Sequence, residues 1–156
     1  MSKTHKYTAT LTWTGNKGTG TNDYREYERS HTWSVAGKPD IPCSSDTPFR
    51  GDGSRHNPED MLLASLSSCH MLWYLHLCAD AGVIVTQYTD QPHGVMTEVP
   101  GGGGHFVSVT LHPVATVTEE WMIEKAQALH DAAHKKCFIA NSCNFPVMHE
   151  PVSKTA

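Results

Sequence analysis

The stretch Asn57-Pro58-Glu59-Asp60-Met61-Leu62-Leu63-Ala64-Ser65-Leu66-Ser67-Ser68-Cys69-His70 decides the architecture of this chain. Asn as N-cap, Pro at the first helical position and two acids in the first turn form a strong helix start. From Met61 to Ala81 there is neither Gly nor Pro, and Gly82 supplies the stop. Apolar side chains such as Leu62, Leu63, Leu66, Leu72, Trp73 and Leu77 go nearly all the way round. A helix of that kind is normally buried on most sides, and both the chain's own core and a partner subunit could provide the cover.

Upstream, Tyr7, Ala9, Leu11 and Trp13 alternate with threonines, the period of a half-buried strand. Thr14 to Asn22 reads as a glycine-containing turn and His31 to Val35 as a second strand. Gly37 to His56, rich in Pro, Gly, Ser and Asp, reads as a long irregular connection. Downstream, strands are predicted over Val83–Thr89, Val95–Val99 and His105–Leu111. The run Gly101–Gly104 is a hairpin tip, because no Gly-Lys-Ser/Thr follows to make a phosphate cradle. Thr118 is the predicted cap of a second helix whose apolar face carries Trp121, Ala126, Leu129 and Ala133, and which ends near Lys135-Lys136-Cys137. The tail after Pro146 reads as an edge strand. This order lacks the strand–helix alternation of a parallel sheet, so the prediction is α+β, with antiparallel sheets around two long helices in a single domain over residues 1–156.

Composition narrows the function. A hydrophobic share of 38% with 18% charged residues suits a globular protein and excludes wholesale disorder. The net charge of -4 points to neither nucleic acid nor an anionic membrane surface. The start, Met1-Ser2-Lys3-Thr4-His5-Lys6, has no signal-peptide core, and nowhere is the roughly 18-residue apolar run that a membrane span needs expected. A soluble, cytoplasmic protein is expected. Five cysteines (Cys43, Cys69, Cys78, Cys137, Cys143) are an odd number with no export signal, which argues for catalytic, metal-binding or buried thiols over a disulfide framework.

By residue type alone Cys69 is a small buried hydrophobe. Cys78, nine residues on, points about half a turn away and cannot share its site. Cys137 follows two lysines and His134, which favour a thiolate, at a helix C-terminus, which opposes one. Cys143 lies in a polar stretch and reads equally well as a spectator. Glu59 alone is a helix N-terminal charge, and Arg50 a loop cation. Eleven histidines keep a metal in view. The metal reading uses His134 and Cys137, with Cys69, His70 or His149 completing a set, but no Cys-x-x-Cys or His-Glu-x-x-His supports it.

Two stretches resemble the OsmC/Ohr family (osmotically inducible protein C and the organic hydroperoxide resistance proteins). Asn57-Pro58-Glu59 with Cys69 ten residues after the Glu is similar to that family's opening motif and reactive Cys. Ala133-His134-Lys135-Lys136-Cys137, with Asn141-Ser142 beyond, is similar to the segment of its second Cys. The Tyr7-Thr8-Ala9-Thr10 strand extends the resemblance to about residues 6–145. Phe138 stands where the family usually has Pro.

The resemblance implies a cysteine peroxidase that reduces organic hydroperoxides, with hydrogen peroxide as a further candidate substrate, and is active against oxidative stress. Cys69 would attack the peroxide, Cys137 would close a disulfide on its sulfenic acid, and Glu59 would hold an activating arginine, Arg50 or its rival Arg25. It implies an intertwined homodimer, no cofactor, and an external reductant of lipoyl-type dithiol or small-thiol class. Ten residues of helix span about 15 Å, so Glu59 reaches the Cys69 site only through a kink, a later helix start, or a site built from two chains. The competing reading keeps the fold as a non-catalytic thiol sensor or a metal- or ligand-binding protein.

Overall fold

The computed structural model describes residues 2–156 of the chain. Its elements are β1 (Thr10–Trp13), β2 (His31–Ser34), β3 (Ile41–Cys43), α1 (Pro58–Asp80), β4 (Val85–Thr89), β5 (His93–Glu98), β6 (Gly104–Leu111), β7 (Val114–Val117), α2 (Ile123–Lys136), β8 (Val147–His149) and β9 (Val152–Thr155). Packing divides the chain into two compact units, one ending at Met61 and the other Leu62–Ala156.

The helix α1 forms for the local reasons its sequence shows. The Asn57 Oδ1 accepts the Asp60 N–H at 2.8 Å, and the Asp60 carboxylate accepts the Asn57 N–H at 3.4 Å. These reciprocal bonds satisfy donors that the first turn leaves open. At the other end Gly82 takes φ +71, its N–H donates to Ala79 O at 3.2 Å, and the Val83 N–H donates to Cys78 O at 2.9 Å. That pair of bonds is the Schellman stop. Because the helix begins at Pro58, a start beyond Glu59 is ruled out.

Only one stripe of α1, Leu66, His70, Tyr74 and Cys78, is buried. Spaced four apart, these residues share one side of the helix. Leu72 is 63% exposed, so the nearly all-round apolar surface is covered on one face within a single chain. One sequence expectation is corrected: by length and composition α1 is apolar enough to cross a membrane. Its serines interrupt any unbroken apolar run without lowering the average below that mark. The core helix of a soluble protein passes the same measure, and the buried His70 on the packed stripe suits a protein interior.

In the first unit, β1, β2 and β3 form an antiparallel meander in the register Leu11↔Trp33↔Ile41. The connection before α1 is more ordered than its composition suggests. It contains β3 and a 3₁₀ turn, Thr47–Phe49, capped by Asp46 accepting the Thr47 N–H at 2.7 Å. The predicted half-buried face of β1 is not covered within this chain, since all four strand residues are exposed.

The second unit carries two three-stranded sheets, in the orders β4-β7-β9 and β5-β6-β8. The pairs β4/β7 and β5/β6 are antiparallel, whereas β6/β8 and β7/β9 are parallel. The sheets are therefore mixed, which corrects the antiparallel expectation. The chain leaves β7 through α2, a crossover long enough to return β8 and β9 in the parallel sense. Gly101, Gly102 and Gly103 all take positive φ in the β5–β6 hairpin tip, as their sequence predicts.

The second helix starts later than predicted. A 3₁₀ turn at Glu120–Met122 precedes it, Thr118 is not its cap, and Trp121 is 72% exposed. The tighter turn changes the angular phase and puts Met122 inward in place of Trp121. Met122, Ala126, Leu129 and Ala133 then pack with Tyr74, Val83, Ala115 and Val117, while Leu66, Val109 and Leu111 form a second cluster.

Candidate active site

Cys69 lies on α1 and Cys137 is the C-cap of α2, so the second unit brings together thiols that are 68 positions apart in sequence. Asp90 anchors α1 beside Cys69: its carboxylate accepts the Ser67 hydroxyl at 2.5 Å and the His112 N–H at 2.7 Å. Cys137 is held by the turn that follows α2. Its own N–H donates to His134 O at 3.2 Å, its carbonyl accepts the Asn141 N–H at 3.0 Å, and the Asn141 side chain donates to Lys135 O at 3.1 Å. Asn141 thus satisfies a carbonyl that the helix end leaves open.

The two thiols have different surroundings. Cys69 is half-buried and Cys137 is 1% exposed, and both are free. Burial pushes the Cys137 thiol up to about 11, the nearby Cys69 thiol adds to the rise, and the Ala140 N–H opposes it. That N–H donates to the Cys137 sulfur at 3.4 Å. Cys137 is therefore a neutral thiol near pH 7, despite the lysines before it.

An aromatic wall stands beside the pair. Trp73, one helical turn on from Cys69, meets Phe138 edge-on with ring centres 5.7 Å apart, and Lys136 Nζ lies 5.4 Å from the Trp73 ring centre. Phe138 is 68% exposed.

The remaining sequence candidates belong to the first unit. Glu59 has one carboxylate oxygen buried without a partner among the described residues. Arg50 is exposed, takes φ +62 at the end of the 3₁₀ turn, and lies 5.9 Å from the Tyr24 ring centre. Among the described residues no ion pair joins Arg50 to Glu59. Arg25 is exposed, with its backbone N–H on Asp23 at 2.8 Å. Arg29, which sequence reasoning passed over, donates to Tyr27 O at 2.6 Å and Tyr24 O at 2.7 Å and lies over both rings. Nothing in its sequence context signals that placement.

The other cysteines are occupied by packing. Cys43 is buried against Ile41 O and Met61, Cys78 is buried with its pKa raised by burial, and Cys143 donates to Ile139 O at 3.3 Å. Of the metal candidates, His70, His134 and His149 cluster together, joined by His130 and Asp131. Among the described residues no three donors stand in ligating positions.

A family model described as OsmC-like protein matches residues 51–150. No curated protein sequence matches the chain. Among solved structures, an OsmC-like protein of unknown function from Vibrio cholerae is 29% identical over 96% of this chain and 100% of its own, with a TM-score of 0.84. An organic hydroperoxide resistance protein OsmC from Legionella pneumophila is 18% identical over 98% of this chain and 100% of its own, with a TM-score of 0.68. The organic hydroperoxide resistance protein of Bacillus subtilis is 21% identical over 93% and 98%, with a TM-score of 0.63. With the last two the likeness is one of fold.

Proposed function

This chain belongs to the OsmC-like protein family, and on that premise we propose that it is a cysteine peroxidase acting on organic hydroperoxides through Cys69 and Cys137. The observation that carries the reading is the meeting of two free thiols, one half-buried and one buried, from the body of α1 and the end of α2. The Cys69 thiolate attacks one peroxide oxygen, the O–O bond breaks, and the alkoxide leaves and takes a proton to become an alcohol. Cys69 is then a sulfenic acid. The Cys137 sulfur attacks it, an S–S bond forms, and the Cys137 proton leaves with the hydroxyl as water. An external dithiol, of lipoyl or small-thiol class, returns both sulfurs to thiols.

The partition of roles follows from the surroundings. A buried neutral thiol is protected from direct oxidation, because the thiolate is the nucleophile. The half-buried Cys69 has the open approach, and the Trp73–Phe138 wall beside it favours an apolar peroxide tail. Glu59 with Arg50, or Arg25, is the proposed activating pair, since a guanidinium both stabilises a thiolate and donates to a leaving oxygen. On a helix starting at Pro58 that arrangement takes a kink in α1 or a second copy of the chain. The exposed apolar residues Tyr7, Leu11 and Leu72 give such a copy surface to cover. Reduced thiols suit a cytoplasmic setting.

A non-catalytic thiol sensor is the second reading, favoured by the absence of an Arg50–Glu59 ion pair among the described residues. Cumene hydroperoxide consumption with a dithiol reductant separates the two. Turnover that is abolished in Cys69→Ser, with a trapped sulfenic acid in Cys137→Ser, is the expected result. Full turnover by Cys69→Ser refutes the peroxidase assignment.

A further inference from the structure

One cation beside the two thiols has no part in the thiol chemistry. Lys136 ends α2, immediately before Cys137, and its side chain is exposed. Among the described residues its amine meets no carboxylate. Nζ turns back instead over the half-buried Trp73 ring, 5.4 Å from its centre, within the range of a cation–π contact. Trp73 stands one helical turn beyond Cys69 and meets Phe138 edge-on at 5.7 Å. The cation, the two rings and both thiols all belong to the unit Leu62–Ala156. His76 also touches Trp73, but its own ring faces Asp80 at 3.4 Å.

We propose that Lys136 is a specificity-determining residue of the proposed peroxidase: its amine binds a carboxylate carried by the hydroperoxide, whose hydrocarbon part lies against Trp73 and Phe138. The inference rests on the peroxidase reading and narrows its substrate class to hydroperoxides that are both anionic and amphipathic.

The surroundings fit each part of such a molecule. Phe138 is 68% exposed, and a hydrocarbon chain laid along it removes apolar surface from water on both sides. An ammonium is a compact point charge, suited to a single carboxylate, whereas flat bidentate recognition of phosphate falls to arginine. The C-terminal end of a helix by itself opposes an anion. Here its carbonyls are occupied: His134 O accepts the Cys137 N–H at 3.2 Å and Lys135 O accepts the Asn141 side chain at 3.1 Å. Lys135 adds a second exposed cation to the same turn. Hydrogen peroxide, small and neutral, gains neither the apolar contact nor the charge.

Two synthetic probes that differ by one charge test this: ω-hydroperoxyoctanoate and its methyl ester, with a saturating dithiol reductant. At low ionic strength kcat/KM for the acid should exceed that for the ester about fivefold, as expected for two unit charges about 4 Å apart in water. The difference should lie in KM, because the carboxylate is bound equally before and during O–O cleavage. The ratio should persist in Lys136→Arg, fall to unity in Lys136→Met, invert in Lys136→Glu, and shrink as salt is raised toward about 1 M. Octanoate, which carries no peroxide, gives a readout independent of activity. It should change the protein's tryptophan fluorescence at lower concentration than octanol does, with the response lost in Trp73→Phe and the affinity about fivefold weaker in Lys136→Met. Cumene hydroperoxide separates the two claims: a protein that consumes no hydroperoxide sinks the peroxidase reading, and octanoate binding then decides the carboxylate site at Lys136. A wild-type ratio of unity, a ratio unchanged in Lys136→Met, or octanoate binding indifferent to Lys136→Met overturns the proposal.

Discussion

Alkylation of the reduced, folded protein distinguishes the two working thiols without any peroxide. With its pKa near 11, Cys137 carries about one thiolate per thousand molecules at pH 8, against about one in ten for a thiol at 9.0. That is roughly a 100-fold deficit in the reactive form. A more basic thiolate is intrinsically more nucleophilic, which with a Brønsted coefficient of about 0.45 recovers nearly tenfold over two pH units. Ionisation alone therefore slows Cys137 about tenfold, and its 1% exposure slows it further. Iodoacetamide at pH 8, followed by peptide mass spectrometry, should label Cys69 well before Cys137, with the Cys137 rate rising tenfold per pH unit to about pH 10. The same shift affects stability, and its sign is fixed. The folded thiol ionises above the unfolded one, so its contribution is complete below pH 9 and is lost as pH rises through 11. The size is about 2–3 kcal/mol, and Cys137→Ala should remove that alkaline dependence. Equal labelling of both cysteines at pH 8, or a Cys137 rate that levels off below pH 10, refutes the reasoning.

Two further outcomes test the frame around the site. In chelator-treated protein at fixed concentration, stability should fall as pH drops from about 6.5 toward 4. His70 is held down to about 4 and His130 to about 3 by burial and by neighbouring imidazoles, so the unfolded chain takes up protons first. The loss by pH 4 is on the order of 3 kcal/mol for each histidine, read as a drop in urea midpoint that the His70→Leu/His130→Leu variant lacks. Gly82→Ala should destabilise the fold by about 1 kcal/mol or more, because φ +71 at the α1 stop is a left-handed position; an unchanged midpoint would show that the Schellman stop contributes nothing.

The features legible in the sequence are those decided locally. Asn57, Pro58, Asp60 and Gly82 act within a few residues of themselves, and each does in the structure what its type predicts. Where a partner is distant, local sequence does not decide the outcome. The parallel direction of β8 and β9 depends on which strand edge is free after α2, and no residue within Val147–Thr155 encodes that. Trp121 reads as a core residue by size, but one 3₁₀ turn puts Met122 in its place. Cys69 and Cys137 show the same division, since type and spacing left each ambiguous and family motifs paired them. The histidines carry a second signal, in their placement on the helices. His70 occupies one step of the stripe Leu66, His70, Tyr74, Cys78, and His130 sits among Ala126, Leu129 and Ala133 on the buried face of α2. A histidine on the packed stripe of each of two helices implies that they meet where the stripes cross. Such a pair brings ring nitrogens that seek partners into the core, so the position of His130 on its helix is itself evidence of a polar interior.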